Sequence, residues 1–551
     1  MRPQRRRENS TTRAPSSPVN AVNAVNSERA QTIVCAISSE DPPQDQASAH
    51  GSGSLPTGSI RVTSPGVTSQ REAEHGRIVR MTAHELLALL GPERSSQSPC
   101  ITFGDRTMSR GEVWEESAAL ARAIELQVPP DHRIGLVDTQ DPSSIVGILA
   151  AFIAGRSVAL LPVSGADDPE VQEFASDARC PAVLVGGEVE LVTRPLPDDP
   201  LDLLNPAAGL GPAGAASPEV VVLYTSGTTR KPRGVRLSST NVASNLSAML
   251  RYAAPWTPAN QLGQVLPVTH SFGLSMALLA LAREVPIVLL GDGPPSRRLA
   301  TAFDLHGVTV FACVPYFLRL MSRRGLNFGG DCAHEVGALY LAGGGVSDGD
   351  LRTLLPDYRG DVYLMYGFTE ATARVAVRRM GDGAIPDSVG LPLPGTYVDI
   401  VSPDGIVQPP GSEGFVRASS ACLMIGYLGQ TPRTPGSAFV TTDLGITDVY
   451  GNLSITGRDS EMMSFRGNRT SVVSVEAAVM QMTGVLDARL KPDSRDEDAQ
   501  CTLRVVAQAD AHHDELRREI IRTVTPKGLI REITFVEALE KTRSGKPIRR
   551  E

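Results

Sequence analysis

Between Val220 and Val235 the chain reads VVVLYTSGTTRKPRGV. An apolar run gives way to Thr225, Ser226, Gly227, Thr228 and Thr229, then to Arg230, Lys231 and Arg233. Those residue types suit a phosphate cradle. Glycine lets backbone N–H groups close on an anion, and hydroxyls add donors. Cationic side chains then neutralise the phosphate charge. The GxxxxGK(S/T) spacing of the Walker loop is absent, and Pro232 opposes a helix starting directly after the loop. A surface loop with solvated cations is the competing reading of this segment taken alone.

Such a loop must be fed by a buried strand, and the surrounding chain has the pattern to supply one. The 551 residues are enough for two or more domains. With 41% hydrophobic and 21% charged residues, the composition is that of a soluble globular protein. A net charge of −8 argues against a general nucleic-acid binder. The seven cysteines stand apart, with no CxxC pair, which points to a reducing, cytoplasmic setting without a disulfide frame or zinc site. The longest apolar run, near Ser275–Ala282, is too short to span a bilayer. Residues 1–80 are basic, then Ser/Pro/Asn-rich, and read as a disordered leader. Met81 opens MTAHELLALLG, a plausible helix, so a start codon placed too far upstream also explains the leader. From Met81 onward strands and helices alternate: a strand pair near 100–109, an amphipathic helix from Arg110, then strand, helix, strand across 133–163. This is α/β patterning with sheets covered on both faces. More β-like segments follow from about 400 to Thr456, and a smaller α+β tail after that.

YTSGTTRKPRGV closely resembles the phosphate loop of the adenylate-forming superfamily, where YTSGTTGKPKGV is usual. That superfamily includes acyl- and aryl-CoA synthetases, peptide-synthetase adenylation domains and firefly luciferase. Further segments match in the family's order: LPVTHSFGL (266–274), LAGGGVS (341–347), MYGFTEAT (365–372), SVGLPLPG (388–395), TTDLGITDVYGNLSITGRDSE (441–461) and KTRSGKPIRRE (541–551). The resemblance runs from about Met81 to the end. It implies an N-terminal AMP-binding domain over 81–458, made of α/β subdomains and a β-rich one. It also implies a small mobile α+β domain over 459–551.

The implied chemistry joins two anions: a carboxylate attacks the α-phosphate of ATP and expels pyrophosphate. Positive charge must concentrate there, and a magnesium ion is the natural clamp. By resemblance, Glu370 is the metal ligand, and Thr225, Ser226, Thr228 and Thr369 contact phosphates, with Gly227, Thr229 and Lys231 in the same loop. Gly343, Gly344 and Gly345 let backbone lie against adenine. Tyr366, followed by Gly367, stacks on the ring, while Asp443 accepts from ribose hydroxyls and Arg458 donates to the same sugar. Lys546, from the small domain, bridges carboxylate and α-phosphate, then leaves when that domain turns about a hinge at Ser460 to admit a thiol. The thiol belongs to CoA or to the phosphopantetheine arm of a separate acyl carrier protein. A nucleotide-binding pseudoenzyme is the alternative of another class, because Arg230 stands where the loop usually has glycine. Other departures are Arg233 for lysine, Thr442 for glycine, Ser464 for lysine and Ser474 for glutamate.

For the acid itself, Gly273 follows Phe272 where α-amino-acid-activating domains usually carry aspartate, so a buried ammonium would lack its partner. Fatty or aryl acids are therefore favoured. Only the first turn of the helix beginning near His270 reads as pocket lining; by resemblance His270 is a gate beside the acyl group, with a hydrogen-bonded structural histidine as the equal alternative. Arg374 reads as a surface cation in preference to a group that reaches the substrate.

Overall fold

A run such as Glu219–Tyr224, with three consecutive valines, has no polar face to offer water. In the computed structural model all six residues are buried as a strand. The model describes residues 81–539 except 92–95, 164, 195–218, 226–231, 292–294, 296, 329–335, 383–384, 467 and 494–498. The strand runs parallel to Val158–Leu160 and antiparallel to Gly234–Ser238, which returns from the phosphate loop. They belong to a seven-stranded sheet completed by Gly426–Tyr427 on one edge and by Ile134–Leu136, Ala182–Val185 and Glu188–Leu191 on the other. Helices Arg110–Gln127 and Pro142–Ile153 pack together beside it. Each has a good start: a capping box from Ser109 and Glu112 in the first, Asp141 as N-cap with Pro142 in the first turn of the second.

The base of the central strand is anchored by charge. Glu219 is buried, and its two oxygens accept from Arg133 Nε (2.7 Å), Arg236 Nε (2.7 Å) and Ser157 Oγ (2.7 Å). Burial pushes its pKa up, but the two guanidiniums outweigh that and hold it at about 2.

A second, nine-stranded sheet has a parallel centre in the order Asp361–Tyr366, Ala338–Leu341, Val310–Cys313, Leu262–Gln264, Ile287–Leu289. Three sequence motifs leave the carboxyl ends of these strands: Gly343–Gly345 after Ala338–Leu341, Gly367–Glu370 after Asp361–Tyr366, and His270 shortly after Leu262–Gln264. Open parallel sheets bind ligands at that edge. An antiparallel sheet of Thr396–Val401, Gly414–Ser420, Phe439–Thr447 and Leu453–Arg458 follows. Beyond it, Val485–Pro492, Cys501–Ala507 and Ile530–Phe535 form a three-stranded sheet with helices Val472–Met480 and His513–Thr523. That last unit has its own apolar core, with Val479, Leu503 and Ile520 at its centre. The architecture is thus α/β, then β-rich, then α+β. No helix among the described residues is long and apolar enough to cross a membrane.

Candidate active site

The neck of the phosphate loop is closed by two hydrogen bonds. Thr225 N–H donates to Arg233 O (3.0 Å), and Arg233 N–H donates to Thr225 Oγ1 (3.1 Å). Ser226, Gly227, Thr228, Thr229, Arg230 and Lys231 lie outside the described residues. Arg233 stacks its guanidinium 3.4 Å from the Tyr427 ring centroid. A flat guanidinium can do this and an ammonium cannot do it as well, which gives the replacement of lysine a physical reason.

Tyr427 also donates from its hydroxyl to Glu370 Oε1 (2.7 Å). Glu370 sits in a single 3-10 turn, Thr369–Ala371, and its carbonyl accepts from Met424 N (2.8 Å). Thr369, which starts that turn, is half-buried. The chain then doubles back so that Val375 N–H donates to Tyr366 O (2.8 Å). Gly367 is needed for this reversal, because a Cβ there would stand 1.6 Å from Ala373 O. Thr372 and Ala373 complete it at φ of 59° and 114°, backbone that non-glycine residues adopt at a cost. Glu370 keeps its second oxygen, Oε2, outside the hydrogen bonds formed among the described residues. One carboxylate with a free oxygen fits magnesium, which takes its remaining ligands from substrate phosphates and water.

Four residues before Glu370, the same stretch holds a second site. Tyr366 donates from its hydroxyl to Asp443 Oδ2 (2.7 Å), and Arg458 Nε donates to Asp443 Oδ1 (2.7 Å). Asp443 and Arg458 face each other in register across two antiparallel strands. Thr441 Oγ1 accepts from Asp443 N (3.0 Å) and fixes its backbone. Burial pushes the Tyr366 phenol well above its ordinary pKa, and the adjacent Asp443 pushes the same way, so it stays a donor. Burial works against the charge of Arg458, but Asp443 outweighs it and raises the pKa. Gly343, Gly344 and Gly345 are exposed. Gly343 takes φ 80°, in the left-handed region that favours glycine. Gly345 O accepts from Arg319 Nη2 (3.3 Å).

His270 is half-buried and is the N-cap residue of helix Ser271–Ala282. Beneath this helix lies a cleft with about 340 Å³ of empty space, part of it open to solvent. Its lining corrects three sequence expectations. First, it runs beyond the first helical turn, through Ser271, Leu274 and Ser275 to Leu278 and Leu279. An almost wholly apolar helix gives no periodic signal to mark its lining face. Second, Gly273 does not line it: a Cβ on Gly273 would stand 2.1 Å from Pro267 O. Third, Arg374 is not a surface cation. It is 2% exposed and lines the cleft, because the reversal after Gly367 turns the chain inward there. Burial lowers its pKa to about 9, so it is still charged at pH 7.

Ser460 lies in the short turn Asp459–Glu461, directly after Leu453–Arg458. Across the two parts of the chain, Gln481 Nε2 donates to Asp350 Oδ1 (2.8 Å) and Arg323 Nη2 to Met480 O (3.2 Å). Lys546 lies outside the described residues.

Comparison with known proteins adds an independent line. The model of the AMP-binding enzyme family matches residues 91–428. Acetyl-coenzyme A synthetase of Pyrobaculum aerophilum is 28% identical over 381 residues, covering 62% of this chain and 56% of that protein. The 4-coumarate–CoA ligase-like 9 protein of Oryza sativa subsp. japonica is 26% identical over 489 residues, covering 81% of this chain and 87% of that one. The chain therefore spans little more than half the length of the first relative and most of the second. Among solved structures, ATP-bound MatB from Rhodopseudomonas palustris superposes with a TM-score of 0.69 at 20% identity, over 85% of this chain and 97% of that one. At that identity the likeness carries the fold alone.

Proposed function

Because the chain belongs to the AMP-binding enzyme family, and so to the adenylate-forming superfamily, we propose that it activates a carboxylic acid with ATP as an acyl-adenylate and passes the acyl group to the thiol of CoA. The observation that carries this reading is the stretch Tyr366–Glu370. At one end its tyrosine and Arg458 hold Asp443 as an oriented acceptor, and at the other Glu370 is held by Tyr427 with one oxygen free. A nucleotide likewise carries its sugar at one end and its metal-bound phosphates at the other. The residues act as follows. Asp443 accepts from the ribose hydroxyls, sharing oxygens already oriented by Tyr366 and Arg458. Gly343–Gly345 gives the adenine ring an unobstructed backbone edge. Thr225, Thr369 and the loop hydroxyls donate to phosphate oxygens, and Lys546 meets carboxylate and α-phosphate as they converge. Glu370 would hold magnesium, which supplies charge neutralisation at the triphosphate. His270, at the start of the cleft helix, stands beside the acyl group.

We infer further that the acid has no α-ammonium group and is of the fatty or aryl kind. A charged guanidinium inside the cleft would repel an ammonium. The small unit from residue 459 onward, turning about Ser460, exchanges Lys546 for a thiol path. The test is ATP–pyrophosphate exchange against a panel of fatty, aryl and amino acids, followed by product analysis with CoA and with a holo acyl carrier protein. Exchange with at least one acid and an acyl-CoA product is expected. No exchange with any acid would overturn the reading in favour of a nucleotide-binding protein.

A further inference from the structure

A carboxylate can offer a metal one oxygen or both, and the number bears on which ion it suits. Magnesium is small, demands near-octahedral geometry and takes much of its shell from phosphates and water. Calcium is larger, gathers more oxygens and accepts a carboxylate through one oxygen or through both.

Glu370 has one oxygen to offer. Its Oε1 accepts from the Tyr427 hydroxyl (2.7 Å), while Oε2 stands outside the hydrogen bonds formed among the described residues. An ionised carboxylate only accepts, so the shared hydrogen belongs to the tyrosine. That hydrogen draws on the charge of Oε1 and competes with any ion that would use both oxygens.

The phenol is held where it is. Gly426 and Tyr427 pair in antiparallel register with Arg236 and Val235, on the strand that returns from the phosphate loop. Ile425 N–H donates to Arg236 O (2.9 Å) and Leu428 N–H to Gly234 O (2.8 Å), so the backbone is tied on both sides of the ring. Arg233 covers the ring, its guanidinium carbon 3.4 Å from the centroid. The acid is tied to the same segment, since Met424 N–H donates to Glu370 O (2.8 Å). Acid and phenol therefore belong to one bracket, and neither can draw back alone.

We propose that Tyr427 is a positioning residue that sets metal specificity: by occupying Oε1 it restricts Glu370 to single-oxygen ligation, and so favours magnesium over calcium beside the nucleotide, with Arg233 holding the ring in place. This rests on the reading of Glu370 as the metal ligand given above. The arrangement also gives the flat guanidinium of Arg233 a task that a lysine ammonium would do less well.

The experiment uses the full chain and a probe that is not turned over, α,β-methylene-ATP, with magnesium chloride or calcium chloride. Calorimetric titration gives a dissociation constant for each metal–nucleotide complex, so the readout is a ratio of affinities and not a rate. Tyr427→Phe keeps the ring under Arg233 and removes the hydroxyl. It should move the magnesium-to-calcium affinity ratio towards calcium by about tenfold, the size expected of one hydrogen bond to a charged group. Arg233→Lys should move it the same way by less. A merely structural role would weaken both complexes alike, so an unchanged ratio in Tyr427→Phe would overturn the proposal, whatever happens to the separate affinities. ATP–pyrophosphate exchange on the same preparations separates this from the adenylation reading. A shifted ratio without exchange by any acid would support Tyr427 and sink adenylation, and exchange with an unchanged ratio would do the reverse. Binding of neither complex by wild type would overturn both. If Tyr427→Phe does not fold, Arg233→Lys decides: a ratio moved towards calcium supports the proposal, and an unchanged one overturns it.

Discussion

Replacing Gly273 by alanine should destabilise the larger part of the chain, although alanine is the better helix former. In helix Ser271–Ala282 the exchange would by itself gain about 1 kcal/mol. Geometry opposes it. The new Cβ would stand 2.1 Å from Pro267 O and 2.7 Å from Leu266 O, both backbone atoms that cannot rotate away. The segment is also clamped: Gln264 Nε2 donates to both Leu266 O (2.5 Å) and Gly273 O (3.2 Å), and Val268 N donates to the buried Asp138 (2.9 Å). Relief needs a shift of the backbone itself. That costs about 1–3 kcal/mol as overpacking and about 1 kcal/mol for each clamp bond lost. The net expectation is a loss on the order of 2–3 kcal/mol, read as a lower urea midpoint for Gly273→Ala at an unchanged slope. Gly273→Asp should be worse, because its carboxylate would face two carbonyl oxygens, and it should not gain exchange with α-amino acids. A midpoint for Gly273→Ala equal to or above that of wild type would refute the packing argument. The inference that no carboxylate can be accommodated at this position would fall with it.

Glu219→Gln should cost about 3–5 kcal/mol by leaving two buried guanidiniums short of charge. Because the folded pKa of Glu219 is depressed to about 2, its contribution is complete above the ordinary value of 4.5 and is lost as pH falls from there towards 2. Urea midpoints of the wild type should therefore drop over that window, with a shallower drop in the variant. Tyr366→Phe removes a donor to Asp443 and should raise the KM for ATP several-fold while largely sparing kcat, as lost uniform binding does; an unchanged KM would detach Asp443 from the nucleotide. Glu370→Gln should lower ATP-dependent turnover steeply, with partial rescue by excess magnesium; wild-type activity at limiting magnesium would remove Glu370 from the site. Lys546→Ala should slow adenylation by about 10²–10³ yet largely spare thioester formation from a supplied acyl-adenylate. Equal loss in both half-reactions would refute the domain exchange.

The parts of this site that are legible in sequence are those set by backbone. The phosphate loop neck, the Gly367 reversal and the register of Asp443 against Arg458 each require particular residue types at fixed spacing, so a local string reveals them. Strand Glu219–Tyr224 is legible for a similar reason: three valines in a row leave it only a position covered on both faces. Glu219 itself is not legible, because its partners Arg133 and Arg236 lie 86 and 17 residues away and only the folded sheet brings them together.

The cleft beneath helix Ser271–Ala282 escapes sequence reading for a different physical reason. Its walls come from helix Ser239–Tyr252, helix Ser271–Ala282 and the returning chain at Thr372 and Arg374, and most lining residues are apolar. Apolar positions on a helix buried all round carry no mark that separates lining from core. In sequence Gly273 resembles a missing charge, whereas its lack of a side chain answers a close backbone contact at Pro267. Arg374 resembles a solvated cation, because an isolated arginine in a sequence usually is one. What sets it apart is visible only in the fold: it is buried and lines the cleft. The fold meets the charge of Arg133, Arg236 and Arg378 with carboxylates, whereas Arg374 lines the cleft with a serine hydroxyl and a methionine sulfur as side-chain partners, and no local string announces which of the two an arginine will find.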